Sequence, residues 1–166
     1  LPGEHDLSEA NQSAFRRWLQ NHYGTEEELA KAWGVDAQTF DRCAVPVFSQ
    51  QEGQEKQAPV FLVLPQMQPM MDYYRYCSDQ VADTLISAVT RIKEIARDNV
   101  LVLAPYGFTY ELTEPSSGHY ALERLLHSDL DGVILPVSYV DRGLGGTGGP
   151  VGPVDSLLAR GKTCFI

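Results

Sequence analysis

Three short apolar runs, at residues 100–104, 133–137 and 163–166, recur at intervals of about 30 residues with helix-like segments between them. This rhythm constrains the fold more than any other feature. Each run is too short for a buried helix and the right length for a strand buried on both faces. Parallel strands need long crossovers, and a helix between successive runs supplies one. The expectation is an α/β fold with parallel strands alternating with helices. In such sheets ligands gather at the carboxyl ends of the strands, where loops converge polar groups over a rigid floor. Those ends carry Tyr106, Tyr110, Glu111, Ser138, Tyr139, Asp141 and Arg142.

Composition sets the outer bounds. With 166 residues, 43% apolar and 21% charged, the chain can bury one sizeable core. A net charge of −9 without a basic run argues against nucleic acid or an anionic membrane surface as partner. The apolar stretches are far too short to cross a bilayer. Cys43, Cys77 and Cys164 are odd in number, widely spaced and never paired as CxxC, so neither a disulfide framework nor a metal site is expected, and no cofactor is indicated. Buried free thiols suit a reducing or indifferent compartment such as the cytoplasm. The chain opens on Leu1 rather than Met, and the expectation is that its true start has been removed.

Along the chain, Asp6 and Glu9 have capping-box spacing and predict a helix whose stripe is Ala14, Phe15, Trp18 and Leu19, extended by His22, and which is closed by Gly24. Thr25 and Glu28 repeat the device, and Leu29, Ala32 and Trp33 give a second helix ended by Gly34. Residues 1–34 thus read as a helix pair, 35–69 as an irregular loop with a polar stretch at 49–57, and 70–166 as βα repeats of a single domain. The clearest helix spans about 71–97, with Tyr74, Ser78, Val81, Leu85, Ala88, Ile92 and Ile95 inward and Asp79, Asp83, Ser87, Arg91 and Glu94 outward. Another starts near Ser117 and buries Leu122, Leu125 and Leu126. A last one has Pro153 at its first position, turns Leu157 and Leu158 inward, and ends at Gly161. A three-strand parallel arc leaves two unpaired edges, through which self-association is expected.

Glu111 and Glu114 are the nearest approach to paired carboxylates past a strand end, but two positions on one loop rarely flank a scissile bond as glycoside hydrolysis requires. Tyr106, Phe108 and Tyr110 serve equally well as sugar-stacking faces or as a cap on the core. His119 can donate to a substrate hydroxyl or hold a helix start; Tyr139 can orient a carboxylate, and Arg142 can hold one. Gly143, Gly145 and Gly148 satisfy G-x-G-x-x-G, so a flavodoxin-like module cradling nucleotide or phosphate on residues 143–149 is an alternative. Against it, Ser138 to Arg142 separate the glycines from their strand, and Pro150 and Pro153 interrupt the turn. A non-catalytic carbohydrate-binding domain is the third reading.

Several of these words together resemble the catalytic barrel of glycoside hydrolase family 42 and related β-galactosidase-like enzymes. They are AFRRWLQNHYG with ELAKAWG, Asp72-Tyr73-Tyr74-Arg75-Tyr76, Pro105-Tyr106-Gly107-Phe108, Ser117-Gly118-His119 with Ala121-Leu122, Pro136-Val137-Ser138-Tyr139, Arg142, and Pro153-Val154-Asp155-Ser156 with Gly161-Lys162. The resemblance implies a partial (β/α)8 TIM barrel, a carbohydrate substrate and a retaining mechanism. It puts the acid/base Glu before Leu1 and the nucleophilic Glu just beyond Ile166, so no catalytic residue is expected within the chain and the isolated polypeptide is expected to be inactive. Tyr139 is implied as partner of the nucleophile, and Tyr106, His119 and Arg142 as wall or subsite groups, with Glu111 beside them. Ala104-Pro105 departs from the pattern, where members more often carry a second aromatic.

Overall fold

A computed structural model describes residues 6–47, 65, 67–97, 99–106, 120–137, 143–146 and 148–166. The elements run α1 (Glu9–Tyr23), α2 (Glu26–Trp33), a 3-10 turn (Phe40–Arg42), α3 (Gln68–Ala96), β1 (Leu103–Pro105), α4 (Leu122–Leu126), β2 (Gly132–Ile134), α5 (Val154–Ala159) and β3 (Thr163–Phe165). The chain divides into two compact units at Tyr76/Cys77, within α3.

In the first unit, α1 is capped by Ser8, two residues later than the Asp6 that the sequence spacing suggests. Ser8 accepts from the Asn11 amide (3.3 Å), while Asp6 accepts from the Ser8 amide (2.9 Å) and so braces the cap from outside. Thr25 caps α2 as its spacing predicts, accepting from the Glu28 amide at 3.3 Å. Gly24 (φ +74°) and Gly34 (φ +64°) end the two helices in the left-handed region that a side chain resists. Phe15, Leu19 and Leu29 are buried as their periodicity requires. Residues 40–45 are tied down by polar side chains of the helix pair: Glu26 Oε1 accepts from the Phe40 amide (3.0 Å), Arg16 Nε donates to the Cys43 carbonyl (2.8 Å), and Gln12 Oε1 accepts from the Val45 amide (2.8 Å).

The second unit is a three-stranded sheet in the order β1-β2-β3, parallel throughout, with α4 and α5 as the crossovers. The parallel expectation from the three apolar runs is met, each strand being shorter than its run. Ala104, Val133 and Cys164 share a register line and join Ala82, Val89, Leu125, Leu126, Leu130 and Leu157 in or against the core. α3 lies on its side differently from the predicted stripe. Ser78, Ala82 and Val89 are buried and Leu85 and Ile86 half-buried, whereas Val81, Ile92 and Ile95 are exposed. The four-and-three spacing fits two neighbouring faces of this helix, and packing on the sheet selects the one with the small residues Ser78 and Ala82. Leu158 is likewise exposed, leaving Leu157 as the inward residue of α5.

The amino ends of the strands are joined around Asp131. Its backbone amide donates to the Val102 carbonyl (3.0 Å) and its carbonyl accepts from the Thr163 amide (2.8 Å). The carboxylate accepts from the Val102 amide and from Lys93 Nζ, both at 2.7 Å. These bonds hold its carboxyl below the usual range, the Lys93 bond first and the Val102 amide second. Lys162 Nζ donates to the carbonyls of Ser128 (2.6 Å) and Leu130 (2.7 Å) beside it. One residue along, Gly132 leaves no room for a side chain, because a Cβ there would stand 2.7 Å from the Thr163 carbonyl carbon.

Candidate functional site

At the carboxyl ends of the strands, β1 runs out through Pro105 into Tyr106, and β2 runs through Pro136 into Val137. Tyr106 is wholly buried. Its hydroxyl accepts from the Ala121 amide at 3.1 Å, and burial pushes the phenol above its ordinary range. The neighbouring Tyr120 amide donates to Ser78 Oγ at 3.2 Å. Tyr106 and Ser78 therefore hold the point at which the chain enters α4, satisfying amides that the short helix cannot. Of the two roles open to Tyr106 on sequence, stacking face or core cap, the geometry displays the second. In sequence Ser78 reads as one more inward residue of an apolar stripe, although a hydroxyl there needs a partner once buried.

The tract after β2 closes on itself. Val137 forms an antiparallel bridge with Pro150, and the Val151 amide donates to the Pro136 carbonyl at 2.9 Å. At the described tip the Gly146 amide donates to the Gly143 carbonyl (2.9 Å), Gly145 adopts φ +86°, and Leu144 stands fully in solvent. The described glycines thus serve a turn and a return bridge, and α5 begins only at Val154, behind Pro153. A phosphate loop would deliver its glycines directly into the first turn of a helix.

Glu111, His119, Tyr139 and Arg142 lie outside the described residues, as do Tyr110, Glu114, Ser138 and Asp141. Of the residues proposed to line or support a sugar site, Tyr106 is the one whose surroundings are described. Among the described residues no group of three or more His, Cys, Asp or Glu is arranged to hold a metal, and no helix is long and apolar enough to cross a membrane. The three cysteines are free.

A second polar cluster, in the first unit, gathers around Asp72, which in sequence is one letter of a family-like word. Asp72 is wholly buried, and its Oδ2 accepts from Tyr23 Oη (2.7 Å) and Trp33 Nε1 (2.8 Å) while Oδ1 accepts from Gln68 Nε2 (2.8 Å). Burial, followed by the Asp72 hydrogen bond, drives the Tyr23 phenol far above its ordinary range. With three neutral donors on two oxygens, Asp72 is a junction for the ends of α1 and α2 and the start of α3. The signal available in sequence was an acid set among aromatics on a helix that is otherwise apolar at that point.

Against known proteins, the family model for β-galactosidases of glycoside hydrolase family 42 matches residues 2–116. A β-galactosidase from Thermus thermophilus is 38% identical over 73 residues, which is 42% of this chain and 10% of that protein. The crystal structure of the β-galactosidase from the psychrophilic Marinomonas ef1 superposes with a TM-score of 0.54 at 28% identity, covering 80% of this chain and 18% of that one. The chain spans less than a fifth of either relative. With more than half of its residues matched by that one model, the chain belongs to the glycoside hydrolase family 42 β-galactosidase family.

Proposed function

We propose that these residues are part of the catalytic barrel of a retaining glycoside hydrolase acting on β-galactosides. The observation that carries this reading is the sheet itself: three parallel strands in chain order with helical crossovers, in a chain similar to two β-galactosidases. In this reading further strands of a (β/α)8 barrel add at the open edges of β1 and β3, and the acid/base and nucleophilic carboxylates come from outside the 166 residues. Tyr106 acts as a supporting residue by holding the entry to α4. Glu111, His119, Tyr139 and Arg142 line or support the sugar site, with Tyr139 orienting the nucleophile.

The experiment compares the 166-residue chain with a longer polypeptide that contains it, using an aryl β-galactoside. The longer protein turns over and proton NMR detects the β-anomer of galactose first, while the short chain is silent. Turnover by the short chain that is lost in Glu111→Gln, or first release of the α-anomer by the longer one, overturns the proposal.

A further inference from the structure

We draw no further inference here: the strongest candidate, the exposed apolar flank of α3 formed by Val81, Ala88, Ile92 and Ile95, is an open helix face, and nothing in the structure shows what covers it.

Discussion

Lys93 Nζ sits 2.7 Å from Asp131 Oδ1, joining the last turns of α3 to the amino end of β2. Both side chains are largely shielded from water, at 15% and 23% exposure, so the pair is not an ordinary surface ion pair. Because folding lowers the Asp131 pKa, the ionised form stabilises the native state at pH values above the ordinary carboxylate range. That contribution fades as pH falls through the lowered value. Asp131→Asn should cost about 1.5–3 kcal/mol near neutrality, the range for hydrogen bonds to charged groups. Urea unfolding of both proteins across the acid range checks this, and the gap between them should close at the lowest pH.

Tyr106→Phe removes one oxygen and leaves the Ala121 amide without that acceptor. The expected loss is about 1–2 kcal/mol of stability, within the range for orphaning a buried donor. Urea denaturation followed by far-UV circular dichroism measures it. A Tyr106 hydroxyl that served only to touch a ligand would leave the unfolding midpoint in place.

At Gly132 the obstacle to a side chain is the Thr163 backbone, which cannot rotate away as a flexible side chain would. Gly132→Ala should therefore cost about 1–3 kcal/mol through overpacking and loosen β2 from β3. Gly143→Ala meets nothing within 4 Å and serves as the neutral control. Thermal melts of the two variants should separate clearly.

Asp72→Ala removes the acceptor of three part-buried donors, from Tyr23, Trp33 and Gln68. A loss of about 1–3 kcal/mol is expected, since the part-buried donors lose a charged acceptor and water replaces it only in part. Asp72→Asn should be intermediate, because its amide group faces donors rather than acceptors. Trp33 fluorescence in each variant reports whether the indole loses its partner, and unchanged emission in Asp72→Ala would refute the junction.

How far the sequence alone reached can be traced through particular residues. Period and caps are local properties, and they located both opening helices, α3 and all three strands, with Thr25, Gly24 and Gly34 in their expected roles. Orientation is not local. Val81 and Ile95 read as core in the helical pattern, yet the sheet took the neighbouring face because Ser78 and Ala82 allow close approach. The junction roles of Asp131 and Asp72 were not legible because their partners lie at positions 93, 102, 23, 33 and 68, and no spacing rule links such positions. Tyr106 was singled out on its place past a strand, but only its bond to Ala121 separates cap from contact.

Arg124 reaches from α4 to Asp79 at 3.1 Å and also to Asp83, two acids one turn apart on α3. In an excised α3 peptide those carboxylates would repel each other along the helix axis. Arg124 relieves that conflict from a helix that follows β1 in the chain. This stretch of α3 is thus a weaker helix by itself than in the assembled unit, and its cohesion is cooperative, contributed from more than forty residues downstream.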